Sequence, residues 1–443
     1  MSGSFRSKLS RDSPAYVVAG QLTTSALALV TAPLIARAIG PDGRGVTAGV
    51  ISAAYIVPIL VGLGVPSEVR RLAAQDDASE ALRSARRLAM LAVPVSVLLS
   101  VALVASVFSG LTPPEKLAAG IAIGVAPIGV LWMCDLGVLV AQQRYRAVFS
   151  LQISTPMVLL VGVLSMTAAG HATPEGVILV SSAGTLVTAI CGQVLSRVHW
   201  RGEAAGWHTL LKRGATFYGA NLAEAASNRL SQVVTLPLYG SFDAGLLSVA
   251  MTVSGLNLVI GQALGAGYFR PIAREGPEGS RFTRASVSEA SSLALLASAG
   301  LALCAPLLVP FVFGEGFAAA VPVVFICLAG SLPMVVGFVS SSALVAKGLG
   351  LGATASQVLG LSAQLVLLLT LVRFGAVGAA IAVTTGYAIQ ALIALCWLRA
   401  RPSWVVPRPR SFVTGVRSLV RTPGSGKNTP TNNGSTGQAD AHE

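Results

Sequence analysis

Charge is what this chain has least of. Only 11% of its 443 residues are Asp, Glu, Lys or Arg, where a soluble domain carries roughly 25%. So small a supply cannot cover a globular surface, which excludes a string of soluble domains despite the length. Acid is scarcer than base: 18 Asp and Glu stand against 31 Lys and Arg, a net charge of +13. His171, His199, His208 and His442 are too scattered to share a metal. The five cysteines, Cys134, Cys191, Cys304, Cys327 and Cys396, lie in apolar runs without a CxxC pair. That argues against zinc modules and disulfide scaffolds, and they read as small buried hydrophobes. No P-loop is present, so the chain does not drive work by its own ATP hydrolysis. Gly348, Gly350 and Gly352 follow a helix rather than a strand and make no dinucleotide fingerprint. No cofactor is expected, and no enzymatic constellation stands out.

What is there is hydrophobic: 53% of the residues, with a mean hydropathy of +0.72. A bilayer core of about 30 Å takes about 20 apolar helical residues to cross. The pattern predicts an all-α membrane protein with twelve transmembrane helices, near 14–36, 45–65, 88–109, 117–140, 147–169, 174–195, 215–239, 244–267, 289–312, 318–343, 352–372 and 375–398. With the N-terminus inside, 26 of the 31 Lys and Arg fall on inner segments and four on outer ones: Arg37, Arg44, Lys116 and Arg373. Arg229 remains within a span. This bias puts both termini in the cytoplasm and the chain in the plasma membrane. It makes the +13 a topology signal facing anionic lipid, not a nucleic-acid footprint. The tail, 399–443, is basic and expected to be disordered beyond Pro423, though Phe412, Val416, Leu419 and Val420 can share one face of a surface-lying helix.

The halves resemble each other at an offset near 200. Gly45 and Arg70 match Gly245 and Arg270, Pro33 matches Pro237, Gln152 matches Gln357, and Gly176 and Gly184 match Gly378 and Gly386. Six spans per half give a parallel repeat about an axis along the membrane normal, with lobes at 14–195 and 215–398 joined by a cytoplasmic linker, 196–214. Such repeats place a substrate path between the halves. A duplicated bundle without transport has the same pattern.

Few polar residues interrupt the spans. Asn221, Glu224, Asn228 and Gln232 recur at helical spacing in the seventh, with Arg229 beside them. Charge at bilayer depth faces a bundle interior or water. Arg229 then binds an anionic head group with Glu224 balancing it, or the two form a structural pair. In the first span Gln21, Thr24, Ser25 and Thr31 line a cavity or make interhelical contacts. Asp135, in the fourth, is a protonatable coupling site, a cap, or a partner of Arg144 or Arg146.

The stretches APLIARAIGPDGRGVTAGV and LGVPSEVRRLAA resemble the opening of polysaccharide flippases of the Wzx type, in the multidrug/oligosaccharidyl-lipid/polysaccharide exporter superfamily. In the second half NRLSQVVTLPLYGSFDAGLLSVAMTVSGL, YFRPIARE, PFVFGEGFAAAVPVVFICLAG and RFGAVGAAIAVTTGYAI resemble the same family, so the likeness spans about 14–398. It implies movement of polyprenyl-diphosphate-linked oligosaccharides from the inner to the outer leaflet through a cationic cavity, with Arg229 matching the usual Arg of span seven. It also implies a proton or sodium gradient as the driving force, and polysaccharide polymerase or glycosyltransferases as partners. In one departure, Ser231 stands where the family often has Asp. A cation-coupled multidrug exporter of the same superfamily and a non-transporting scaffold for envelope assembly are the rival readings. The major facilitator fold is disfavoured, because GVPSEVRRLAAQDD lacks its basic motif between spans two and three.

Overall fold

The computed structural model describes residues 15–75, 79–276 and 278–406. The N-terminal segment and the tail face of Phe412, Val416, Leu419 and Val420 lie outside the described residues. Within them the chain is all-helical, without a strand. The helices of the first half are α1 (Ala15–Gly62), α2 (Val65–Ala73), α3 (Ser79–Leu91), α4 (Val93–Ser106), α5 (Pro113–Gly124), α6 (Ala126–Ala141), α7 (Tyr145–Ala168) and α8 (Pro174–Ser196). Those of the second are α9 (Trp207–Glu275), α10 (Arg281–Phe313), α11 (Val321–Ala346), α12 (Gly350–Thr370) and α13 (Gly375–Trp397). Among the described residues nine helical stretches are long and apolar enough to cross a membrane, or ten if α3 and α4, bent by 43°, make one. The protein is a multi-pass membrane protein.

Turn residues act differently from the sequence expectation. Residues 37–44 and 240–243 read as loops, yet α1 and α9 run through them. Each is broken at one glycine, Gly40 (φ 69°, ψ −176°) and Gly240 (φ 86°, ψ 170°). Positive φ is cheap only without a Cβ, so one glycine replaces a loop. Pro94 and Pro127 start new helical segments, α4 and α6, where a proline ring suits the first turn. The short amphipathic α2 was not expected. Helix α9 begins at Trp207, so the connection between the halves is 197–206, shorter than the predicted linker. Of the cysteines only Cys134 and Cys327 are fully buried, while Cys304 and Cys396 are exposed on the helix surface.

The halves meet along α1 and α9. Val46, Val50 and Ala53 pack with Val233, Leu236 and Ala244. Ala32 and Ala36 pack with Leu247 and Ala250. Lipid tails are as apolar as Leu, so no hydrophobic force draws helices together in a bilayer; close approach of small residues does. A Cβ on Gly45 would collide with the Ser241 carbonyl, and one on Gly245 with that of Pro41. The two glycines that the sequence pairs therefore make reciprocal contacts across this seam.

Candidate functional site

Two cavities flank the seam. The first, about 370 Å³, lies within the first half and is lined by Gln21, Thr24, Tyr55, Trp132 and Gln152 among others. The second, about 260 Å³, lies within the second half, with Glu224, Asn228, Gln357, Tyr387 and Gln390 in its wall. Arg229 stands beside the first: its guanidinium lies over the Tyr55 ring, 5.1 Å from the centroid.

Arg229 does not pair with Glu224. Five residues separate them, about 140° around a helix, so Glu224 turns into the second cavity as Arg229 turns toward Tyr55. The predicted polar face divides in the same way. Glu224 and Asn228 line the second cavity. Gln232 accepts a hydrogen bond from Ser52 Oγ at 2.5 Å and its amide approaches Met251 Sδ at 3.6 Å, while Asn221 Nδ2 donates to Ser67 Oγ at 2.9 Å. These two amides bridge the halves.

Arg44 is the residue that sequence reasoning misplaced. Counted on an outer loop, it lies inside α1, one turn past the Gly40 break. Its Nη2 is 3.5 Å from Thr252 Oγ1, and its Nε is buried without a partner. Neither its guanidinium nor that of Arg229 has a carboxylate partner among the described residues. The neighbouring Gly45 carried the signal: its repeat partner is helical, so residues beside it belong to a helix.

Asp135 has a different place. Its partner is Arg86, not Arg144 or Arg146; Oδ1 accepts from Arg86 Nη2 at 2.8 Å, and both side chains are 0% exposed. Arg86 also donates to Val198 O at 2.6 Å and Ser196 Oγ at 2.9 Å, and lies 5.5 Å from the Trp200 ring centroid. Arg144 instead donates to Leu195 O at 2.6 Å. Asp135 thus fastens α6 to α3 and to the end of α8, outside both cavities.

Residues 11–266 match the profile of a family described as polysaccharide biosynthesis protein, more than half of the chain. The chain belongs to that family. No curated protein matches. Among solved structures the fold is similar to an inward-facing multidrug resistance MATE transporter of the MOP superfamily, at 14% identity and TM-score 0.68, covering 86% of this chain and 97% of that one. The lipid II flippase MurJ in an inward closed conformation is similar at 13% identity and TM-score 0.64, covering 91% and 90%. An outward-facing MATE structure gives 13% identity and TM-score 0.60, over 87% and 93%. The profile match agrees with the resemblance to polysaccharide flippases read from the sequence, and the likeness to these solved structures shows a shared fold.

Proposed function

We propose that this member of the family flips a lipid-linked oligosaccharide, a polyprenyl-diphosphate glycan, from the inner to the outer leaflet by alternating access. The observation that carries this reading is that each seam helix carries an arginine, Arg44 beside Thr252 and Arg229 over Tyr55, and neither has a carboxylate partner among the described residues. Cations left unpaired at the seam are stabilised by an anion, and the planar guanidinium fork matches phosphate oxygens. The buried, unpartnered Nε of Arg44 is a further donor for it.

The architecture supports the same reading. Straight, α1 with its 48 residues would run about 72 Å, more than twice the hydrocarbon thickness. A reversal at Gly40 lets it cross twice, and Gly240 does the same for α9. With the remaining stretches this gives twelve crossings, in lobes at 14–195 and 215–398 related by a parallel repeat. The reciprocal Gly45 and Gly245 contacts fit that symmetry. Both termini face the cytoplasm of the plasma membrane, where polymerase or glycosyltransferases work alongside. Glu224, in a cavity without a cationic partner, is the coupling carboxylate for a proton or sodium gradient. The same carboxylate suits a cationic drug, which is the second reading.

Export of lipid-linked glycan in cells, at matched membrane levels, separates the two. Arg229→Ala and Arg44→Ala should each lower export at least about tenfold, the effect of one lost charge-assisted contact, and Arg229→Lys should restore it only in part. Full export by a well-inserted Arg229→Ala protein would sink the anionic-head-group reading in favour of the drug exporter.

A further inference from the structure

The two cavities are built from corresponding positions but differ in chemistry. At the offsets of the internal repeat, Thr24 corresponds to Asn228, Met133 to Phe338, Leu136 to Ser341, Gln152 to Gln357, Thr185 to Tyr387 and Thr188 to Gln390. The first of each pair lines the first cavity and the second of each pair lines the second. The second cavity carries a carboxylate. The first is lined by no Asp, Glu, Lys, Arg or His. A site without charge selects a neutral ligand, since a charge brought in would lose its hydration without a partner.

Its chemistry is also specific. Trp132 and Tyr55 offer aromatic faces, on which the C–H face of a pyranose ring packs. Gln21 and Gln152 supply amides, and Thr24, whose hydroxyl donates to the Gln152 backbone carbonyl at 3.2 Å, can still accept, so donors and acceptors for sugar hydroxyls are both present. Gln152 Oε1 packs against Gly20 without a hydrogen-bond donor, which leaves the amide nitrogen of Gln152 as the group to meet a ring hydroxyl. At about 370 Å³ the cavity sits near the small end of ligand sites, which run from about 300 to 1,000 Å³, so it holds a single ring rather than a chain of them. Tyr55 forms part of its wall and lies under Arg229, 5.1 Å away, so a ring in this cavity is adjacent to an anion on that guanidinium.

We propose that the first-half cavity is the subsite for the sugar ring attached directly to the diphosphate, stacked on Trp132 and Tyr55 and hydrogen-bonded by Gln152. The proposal rests on the anionic-head-group reading above. The two halves of the molecule then read different parts of one substrate: neutral ring in the first, coupling charge in the second, diphosphate between them.

The test uses the full chain in lipid nanodiscs. Two probes are compared on the same preparation: a polyprenyl diphosphate, and the same lipid bearing one N-acetylhexosamine. The sugar-bearing lipid should bind about tenfold tighter, the order of effect one stacked ring and two hydrogen bonds supply. Trp132→Ala and Gln152→Leu should each bring that ratio toward one, and Trp132→Phe, which keeps a ring, should retain most of it. A ratio near one in the unsubstituted protein, or a ratio unmoved by Trp132→Ala and Gln152→Leu, overturns the subsite while leaving the diphosphate reading in place. Failure of both lipids to bind overturns the anionic-head-group reading, and the subsite with it. Competition by an apolar drug, lost in Trp132→Ala while the lipid ratio stays at one, assigns the cavity to a drug instead.

Discussion

Asp135 and Glu224 are both carboxylates in apolar helices, and their surroundings differ. Asp135 is tied to a fully buried guanidinium that holds the α8 end and the connection beyond it. Removing one partner of such a pair strands the other, at a cost of about 3–5 kcal/mol, whereas replacing both with apolar groups is often neutral. Asp135→Asn and Arg86→Met should therefore lower the melting temperature and membrane yield, and a double Arg86→Met, Asp135→Leu protein should recover much of both. Glu224 has no such partner and lines a cavity. Glu224→Gln should leave melting nearly unchanged and remove the dependence of transport on an ion gradient. Gradient dependence lost with Asp135→Asn at full stability, and kept with Glu224→Gln, would exchange these roles.

At the level of helices, glycine decides the architecture, and its several uses are separable. Gly40 and Gly240 supply a helix break at positive φ, Gly45 and Gly245 supply close approach, and Gly300 in α10 has nothing within 4 Å of where a Cβ would lie. Gly45→Ala forces the seam apart, and overpacking of this kind costs about 1–3 kcal/mol. Gly40→Ala puts a side chain at positive φ with extended ψ, a region essentially only glycine populates, at about 1–3 kcal/mol. Gly300→Ala should be neutral or stabilising by up to about 1 kcal/mol, as Ala replaces Gly in a helix interior. Thermal unfolding in detergent should place Gly45→Ala and Gly40→Ala both below Gly300→Ala. If Gly45→Ala melts with the unsubstituted protein, the seam is looser than its geometry. The helices were legible in the sequence because twenty apolar residues in a row have few alternatives. The single-glycine breaks were not, because Gly-Pro-Asp-Gly-Arg at 40–44 has the composition of a solvated loop. Arg44 was misassigned by the same error: a cation next to such residues reads as a loop charge until a single glycine is seen to complete the turn. Arg229, which lies in no such context, was legible, but not its stacking on Tyr55. That contact joins residues 174 positions apart, and periodicity within one helix carries no information about a facing helix.

Across the whole molecule, the cations that report orientation also hold the chain together. Arg83 donates to the carbonyls of His199 and Glu203, Arg86 to that of Val198 and Arg87 to that of Gly202. Three arginines of α3 thus clasp 197–206, the connection between the halves, against the first half. The rocking of one half on the other that the proposed alternating access requires must then be absorbed beyond this clasp, near Gly206, where α9 begins. It also follows that deleting these arginines to test the charge bias would disturb folding and orientation together. A labelling map separates the two, because it leaves every cation in place. Single cysteines at Thr112, ahead of α5, and Thr173, ahead of α8, should react with a membrane-impermeant reagent from outside. Cysteines at Ser280, ahead of α10, and Ser403, beyond α13, should react only after permeabilisation. The native Cys304 and Cys396 are exposed on the helix surface and need replacing first. Between Thr173 and Ser280 the chain passes through α8 and both legs of α9, an odd number of crossings only if Gly240 reverses the path. Labelling of Thr173 and Ser280 from the same side would remove that reversal, and with it the twelve-crossing arrangement.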